Sequence, residues 1–172
     1  MRKHIEGGFI QSIEQNDFER IITFTIESTN EIGDKVIRKL IIEIMGRHSN
    51  CILTDAANDH IIDSLKHLSP SVNSYRTVLP GQNYIAPPNQ NKKNPLSLQN
   101  DEVKAFIQEE NPASVIIQSI AGFSPLHANE LITRLNNGES YESYVEQLIN
   151  GAMPNYTEVN GKGYFSSAEL TH

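Results

Sequence analysis

The segment from Glu43 to Asn50, with the sequence EIMGRHSN, carries the densest group of chemically useful side chains in the chain. It follows an Ile-rich stretch and supplies a guanidinium from Arg47, an imidazole from His48, a hydroxyl and an amide. Such groups suit the phosphates and sugar edges of a nucleic acid. A polar β-turn in which Ser49 and Asn50 bond their own backbone would explain the same residues, so the pattern leaves both interpretations open.

A second charged pair, Glu19 and Arg20, begins the strand that should pair with the Ile-rich stretch. If residues 29–34 form the turn, antiparallel pairing places Arg20 opposite Glu43 or Ile44. Both registers bring the two polar groups to the same end of one hairpin. An edge ion pair worth at most ~1 kcal/mol would also explain this placement. Two polar motifs at one loop-bearing end nevertheless favour a binding site.

Catalytic and metal-binding chemistry has little support elsewhere. The six histidines form no i,i+4 pair on a convincing helix, and the one cysteine, Cys51, allows neither an intrachain disulfide nor a Cys-based zinc site. No glycine-rich phosphate loop or nucleophile elbow is found in the sequence. We therefore predict no catalytic residues, no metal and no cofactor, and a binding protein rather than an enzyme. The lack of a ~20-residue apolar stretch or a signal peptide predicts a cytoplasmic protein without a membrane partner.

The formal charge of −7 is unevenly distributed along the chain. Residues 1–95 hold 11 Lys or Arg against 11 Asp or Glu, whereas residues 96–172 hold 3 against 10. Phosphate contacts require Lys and Arg, so the whole-chain charge argues against non-specific RNA binding. The neutral first part still allows recognition by a few placed cations.

Hydrophobic patterning predicts an α+β fold, with an antiparallel β-sandwich or meander followed by a helical cluster. Alternation and β-branched residues predict strands over five segments: 9–15, 20–28, 35–45, 51–55 and 60–65. A long Pro-rich loop over 66–95 completes the first domain, residues 1–95. Residues 96–152 form the helical domain, and residues 153–172 a short terminal hairpin with residues 161–163 at its turn.

Capping residues predict the helix boundaries in the second part. Asp101 should cap a helix through roughly Glu109, and Pro112 should open one that ends at Gly122. Ser124 and Ser140 should cap two further helices, over 126–135 and up to about 150. The connection over 120–130 can aim backbone amides at a phosphate, although simple helix packing explains it equally well.

Taken in order, five short motifs resemble those of the N-terminal NFACT domain of the RqcH, or FbpA, family. They are residues 2–8 (RKHIEGG), 43–50 (EIMGRHSN), 66–68 (KHL), 76–81 (RTVLPG) and 86–88 (APP). Residues 122–130 (GFSPLHANE) are similar to the family's helix-hairpin-helix-like segment. The likeness covers nearly all of the chain. It is to an interior stretch of a longer protein, so the chain is expected to be a fragment.

The resemblance implies a fold similar to formamidopyrimidine-DNA glycosylase, a β-sandwich followed by a helix-two-turn-helix-like part. It does not carry glycosylase chemistry, because the chain begins Met1-Arg2-Lys3 instead of with a proline nucleophile and lacks a four-cysteine zinc finger. It also implies a role in ribosome-associated quality control and the rescue of stalled ribosomes. Family members bind the large ribosomal subunit carrying stalled peptidyl-tRNA and recruit alanyl-tRNA for alanine tailing of the nascent chain.

The family's tRNA-recognition motifs fall on the residues already singled out. Its Asp-Arg motif matches Glu19 and Arg20, with Glu replacing Asp, and its Glu-Ile-Met motif matches Glu43, Ile44 and Met45. With Arg47 and His48 added, these residues form the predicted tRNA-binding site. Two alternatives stay open: a surface adhesin that binds fibronectin or fibrinogen, as the family's traditional name says, and a purely structural domain.

Overall fold

The computed structural model describes residues 1–151, 154–159 and 161–171. The chain divides into two units, Met1–Asn89 and Gln90–His172, and each has its own hydrophobic core. In the described part of the chain, no helix is long and apolar enough to cross a bilayer.

The first unit is built around a five-stranded antiparallel sheet in sequential order. A short helix α1 (Arg2–Ile5) precedes strands β1 (Phe9–Gln15), β2 (Ile21–Thr29), β3 (Lys35–Glu43), β4 (Asn50–Asp55) and β5 (Ile61–Ser64). The predicted strands and the β-first order are confirmed. Helix α1 has no counterpart in the sequence prediction because four residues are too few to show a helical period.

One face of this sheet carries the core of the first unit. Ile21, Ile41, Ile52 and Ile61 are buried there with Val78, which belongs to the Pro-rich loop. Leu68 and Tyr84 of the same loop also pack on this cluster, and Leu68 pairs with Val78 in an isolated antiparallel bridge. The loop, and not a second sheet, therefore covers the core face, and the meander alternative describes the fold.

The second unit is a helical cluster with a terminal hairpin. Its helices are α2 (Asn100–Phe106), α3 (Pro112–Ser119), α4 (Pro125–Asn136) and α5 (Tyr141–Asn150), and its strands are β6 (Asn155–Val159) and β7 (Lys162–Ser166). Their apolar faces meet in one core that includes the fully buried residues Val103, Ile116, Leu131 and Tyr144.

Two of the predicted caps are confirmed by their hydrogen bonds. Ser124 accepts the backbone N–H of His127 at 3.4 Å, and Ser140 accepts that of Ser143 at 3.2 Å. Each bond satisfies one of the amides that the first turn of a helix leaves unpaired.

Three details of the sequence prediction are wrong in this unit. The cap of α2 is Gln99 and not Asp101, and Glu102 accepts the Gln99 backbone N–H at 3.4 Å. Helix α3 ends at Ser119 and not at Gly122, because Ile120 is extended and bridges to the backbone of Lys93. Residues 162 and 163 belong to β7, which leaves Gly161, with φ of +73°, in the turn.

Candidate nucleic-acid interface

The register of β2 and β3 decides where the two predicted motifs meet. Ile21 pairs with Glu43, and the next backbone bond runs from the Ile44 N–H to the Arg20 carbonyl oxygen at 2.8 Å. Of the two registers that the sequence allowed, the one opposite Ile44 is observed. Arg20 is exposed, and Ile44 is 48% exposed beside it.

The turn that leads into Arg20 is held by its own backbone. The Glu19 N–H donates to the Asn16 carbonyl oxygen at 3.0 Å, and the Gln15 side-chain amide donates to the Glu19 carbonyl oxygen at 2.9 Å. Glu19 itself is half-buried. This network fixes the direction in which Arg20 leaves the end of β2.

The loop between β3 and β4 forms a closed turn. A 3₁₀ turn over Gly46–His48 begins after Met45, and Gly46 has φ of +56°, a conformation that glycine adopts without steric cost. Ser49 Oγ accepts the Met45 N–H at 2.9 Å, so this hydroxyl is used inside the loop. The interpretation of Ser49 as a turn residue therefore describes it better than a role in ligand binding.

Asn50 is buried and joins two strand ends. Its Oδ1 accepts the backbone N–H groups of Cys51 and Lys66, each at 2.9 Å, and its Nδ2 donates to the Lys66 carbonyl oxygen at 2.9 Å. These hydrogen bonds hold the start of β4 against the segment after β5. Asn50 therefore positions Lys66, and its amide oxygen is already occupied by two backbone N–H groups.

Arg47, His48 and Lys66 come together on the exposed side of this loop. Arg47 Nε donates to His48 Nε2 at 2.9 Å, which requires that ring nitrogen to be unprotonated. Lys66 Nζ donates to the Arg47 carbonyl oxygen at 3.0 Å. We name the surface formed by Arg20, Ile44, Arg47, His48 and Lys66 the basic edge.

Within the described part of the chain, the cations of the basic edge have no acidic partner at ion-pair distance. Among the residues that the structure describes, no carboxylate lies within 4.0 Å of the charged groups of Arg20, Arg47 or Lys66. Elsewhere in this unit exposed lysines do pair, as Lys35 does with Glu27 at 2.8 Å. The positive charge of the basic edge is therefore available to an anion.

Glu43 lies behind the basic edge, in the interior. Its side chain is fully buried, and Arg76 donates to both carboxylate oxygens at 2.6 Å, from Nη1 to Oε1 and from Nη2 to Oε2. The Tyr84 hydroxyl donates to Oε1 at 2.9 Å, and Arg76 Nη1 also donates to the Ile85 carbonyl oxygen at 3.0 Å. With this geometry Glu43 anchors the Pro-rich loop to the end of β3.

The buried cluster raises the pKa of two side chains, Arg76 and Tyr84. The hydrogen bonds to the Glu43 carboxylate raise the pKa of the Arg76 guanidinium, which therefore stays charged. Burial first, and the Glu43 charge second, raise the pKa of the Tyr84 hydroxyl, which stays protonated and donating. Arg76 and Tyr84 were not among the predicted site residues.

Met45 completes the inner side of the motif. It is half-buried and packs on the core that contains Ile21, Ile41 and Val78. Of the three residues Glu43, Ile44 and Met45, only Ile44 is exposed. Glu43 and Met45 hold the strand end in place, while Ile44 lies at the surface.

In the second unit, the segment over 120–130 is accounted for by packing. Phe123 packs on the helical core, and His127 Nδ1 lies 2.8 Å from the hydroxyl of the buried Tyr144. Burial lowers the pKa of His127, so the neutral ring is favoured. Across residues 1–151, 154–159 and 161–171, no cluster of three or more potential metal ligands is present.

Residues 1–160 match the family model described as NFACT N-terminal and middle domains. The chain belongs to this family. The chain is 51% identical to the Rqc2 homolog RqcH of Bacillus subtilis, in an alignment of 181 residues that covers all of the chain. It is 42% identical over 132 residues to the Rqc2 homolog RqcH of Streptococcus pneumoniae, an alignment that covers 76% of the chain. The matched regions span 32% and 24% of the length of these two relatives. The chain therefore corresponds to at most about a third of either one.

Solved structures of NFACT relatives share the fold. The N-terminal part of the fibronectin/fibrinogen-binding protein of Streptococcus suis matches 99% of the chain with a TM-score of 0.81 and 32% identity. The fibrinogen binding protein of Staphylococcus aureus matches 99% with a TM-score of 0.82 and 38% identity. The chain covers 62% and 65% of those two structures.

The sequence contains a partial indication that Arg76 is the partner of Glu43, although the sequence analysis did not predict this pair. Arg76 stands at the head of the RTVLPG motif, and a glutamate at the end of an Ile-rich strand requires a cationic partner once it is buried. The 33 residues between Glu43 and Arg76 cross an irregular loop, so neither spacing nor periodicity indicates that they pair.

Proposed function

We propose that the chain is the tRNA-binding module of a ribosome-associated quality-control factor and that the basic edge contacts the phosphates of the tRNA. The observation that carries this proposal is the group of exposed cations, Arg20, Arg47 and Lys66, that have no carboxylate within 4.0 Å among the described residues. Cations in this state attract a polyanion through counterion release. Two relatives named Rqc2 homolog RqcH support the biological setting.

In this proposal the residues of the two motifs have different roles. Arg20, Arg47 and Lys66 contact phosphates, and His48, next to Arg47, contacts a phosphate or a ribose hydroxyl. Ile44 offers an apolar surface to a ribose or base. Glu19 acts through the turn that orients Arg20.

Glu43 and Met45 act as positioning residues. Because Arg76 and Tyr84 occupy the Glu43 carboxylate, its contribution to tRNA binding is to hold the end of β3 in register with Arg20. Loss of Glu43 should therefore lower affinity through disorder of the basic edge.

The proposal extends to alanyl-tRNA and to the large ribosomal subunit carrying a stalled peptidyl-tRNA, as implied by the RqcH family likeness. Its test is co-sedimentation of the full-length protein with large ribosomal subunits, followed by sequencing of the bound tRNA. We expect enrichment of alanine-specific tRNA. An unselective tRNA population would limit the proposal to general tRNA binding.

The direct test is fluorescence anisotropy of labelled tRNA with the full-length protein and its variants. Arg20→Ala, Arg47→Ala and Lys66→Ala should each weaken binding about 3- to 10-fold, as expected for loss of one phosphate contact at low salt. Lys35→Ala is the matched control, because it removes the same charge at the opposite end of β3. Unchanged affinity in all three variants, with correct folding, would remove the basic edge from the tRNA site.

A second candidate function is binding of fibronectin or fibrinogen, which the names of two solved relatives favour. Surface plasmon resonance on immobilised fibrinogen and fibronectin tests it with the same protein samples. Saturable binding to either protein that survives Arg20→Ala, together with no affinity for tRNA, would favour this second function.

A further inference from the structure

The sheet of the first unit has a second face, opposite the core face, that carries mostly apolar side chains. The register places Phe24 opposite Leu40, with Ile13 of β1 on the other side of Phe24. Successive side chains of a strand point to opposite faces, so these residues lie on the side away from the core. We name this surface the outer face, and its apolar residues are Ile10, Ile13, Ile22, Phe24, Leu40 and Ile42.

In the described part of the chain, much of the outer face is uncovered. Ile10 and Ile13 are 58% and 59% exposed, and the other four apolar residues are half-buried. Helix α1 reaches this face near Ser28, whose hydroxyl donates to the His4 carbonyl oxygen at 3.0 Å. A contiguous exposed apolar patch marks an interaction surface, so we expect the outer face to have a partner.

A cation without a hydrogen-bond partner lies in the same face. Arg38 on β3 pairs with Ile26 on β2, in the row next to that of Phe24 and Leu40. Its side chain is half-buried, and among the described residues its Nε and Nη1 atoms are buried without an acceptor. Buried N–H groups of a cation are costly to leave unpaired. Arg38 therefore requires an acceptor from outside the described residues.

The charged residues around Arg38 do not supply this acceptor. Asp55 is its neighbour on β4, yet no ion pair joins the two side chains in the part of the chain that the structure describes. Asp55 Oδ1 instead accepts the Ala57 N–H at 2.8 Å. On the side of α1, burial first, and then the positive charges of Arg38 and Lys3, lower the pKa of His4. Charge complementarity thus favours a carboxylate as the missing acceptor.

We propose that the outer face docks an apolar segment of the same polypeptide, from outside residues 1–172, that places an Asp or Glu carboxylate on Arg38. A bidentate contact like that of Glu43 with Arg76 would satisfy the guanidinium. The chain spans 32% of the Bacillus subtilis relative, so most of a protein of that kind lies outside residues 1–172. This docking goes beyond the proposed tRNA binding and does not depend on it.

Two other occupants fit the outer face less well. An RNA phosphate could approach Arg38, but a hydrated polyanion would leave the apolar residues in water. A second copy related by a two-fold axis would present the same surface. The carboxylates of that surface, Asp55 and Asp63, already accept hydrogen bonds from Ala57 and Ser64.

The test measures thiol reactivity at two matched positions in the full-length protein. Ile13→Cys introduces a thiol on the outer face, and Ile32→Cys introduces one in the β2–β3 turn, where the isoleucines are 59% and 83% exposed. Iodoacetamide labelling followed by peptide mass spectrometry gives the two rates. We expect Ile13→Cys to be labelled at least about tenfold more slowly, because a covered thiol reacts only after local opening.

A second pair of variants tests the carboxylate contact. Adding Arg38→Leu to Ile13→Cys should raise the labelling rate at least about fivefold, because the carboxylate of the docked segment then loses its partner. Adding Asp55→Asn is the control and should leave the rate unchanged. A labelling rate that Arg38→Leu does not change would overturn the contact with Arg38.

The other outcomes decide between occupants. Similar labelling rates for Ile13→Cys and Ile32→Cys would show that the outer face is open in the full-length protein, and would overturn the proposal. Protection of Ile13→Cys that is lost on dilution would assign the outer face to a second copy. Protection that requires added tRNA would assign it to RNA. Either of these results overturns docking of a segment of the same polypeptide.

Discussion

The guanidinium of Arg76 meets the carboxylate of Glu43 through two parallel hydrogen bonds of 2.6 Å, with Glu43 fully buried and Arg76 only 7% exposed. This pair joins the last residue of β3 to a loop residue 33 positions away. Because Ile44 begins the basic edge directly after Glu43, the same pair sets the position of the exposed residues. Glu43, which the family resemblance led us to expect in contact with RNA, is thus part of the interior behind the basic edge.

Loss of either partner should destabilise the first unit strongly. Glu43→Ala or Arg76→Ala leaves an unpaired buried charge, and we expect each to lower the free energy of unfolding by about 3–5 kcal/mol. Urea unfolding followed by circular dichroism measures this. The double variant should cost clearly less than the sum of the single variants, because each already removes the shared interaction. Additive losses would contradict the pairing, and Lys35→Ala, at an exposed pair, serves as the control.

Stability should fall at alkaline pH because of three tyrosines, the buried Tyr141 and Tyr144 and the half-buried Tyr84. Burial is the main factor that raises the pKa of Tyr84, Tyr141 and Tyr144 above the ordinary value of about 10. The folded chain holds these protons more tightly than the unfolded chain, so the stabilisation is complete below pH ~10 and declines above it.

Absorbance at 295 nm during alkaline titration, with circular dichroism in parallel, checks this expectation. Part of the absorbance of the six tyrosines should increase only together with unfolding, and Tyr84→Phe should remove a share of that late increase. Complete tyrosine ionisation in a chain that is still folded would contradict the burial of these hydroxyls.

Arg134 should hold the terminal segment, residues 166–171, against the helices of the second unit. Its guanidinium bonds Glu130 at 2.6 Å, Glu139 and Gln147 at 3.0 Å, and the Glu169 carbonyl oxygen at 2.6 Å. Arg134→Ala should therefore release the segment after β7 and increase amide hydrogen exchange over residues 166–171 at least about tenfold, equivalent to ~1.4 kcal/mol of local stability.

Hydrogen-exchange mass spectrometry measures this effect, with Lys104→Ala on α2 as the exposed control. Exchange that increases only in α4, with residues 166–171 protected as before, would show that Arg134 stabilises its own helix and does not hold the terminal segment.

The parts of the fold with local signals were predictable. Strand alternation over 20–28 and the cap residues Ser124 and Ser140 depend on near neighbours in sequence, and the structure confirms them. The turn at residues 29–34 limited the pairing of β2 with β3 to two registers. The structure has the register that places Arg20 opposite Ile44.

The interior of the candidate site was not predictable in the same way. Glu43 looks in the sequence like a strand-end residue facing solvent, and only the path of the loop, which brings Arg76 and Tyr84 over it, makes it an interior residue. Similarly, Ser49 bonds the backbone of its own loop, and Asn50 bonds the backbone of Cys51 and of the distant Lys66. Long-range packing decided which polar residues remain exposed.

The most direct test of the basic edge is the salt dependence of tRNA binding by the full-length protein and by the triple variant Arg20→Ala, Arg47→Ala, Lys66→Ala. Each phosphate contact contributes roughly 0.7–0.9 to the slope of log affinity against log salt concentration. We expect the triple variant to lower the magnitude of that slope by about 2–3, and Lys35→Ala to leave it unchanged. A triple variant with the wild-type slope would show that these three cations do not contact the phosphates, and would contradict the proposed interface.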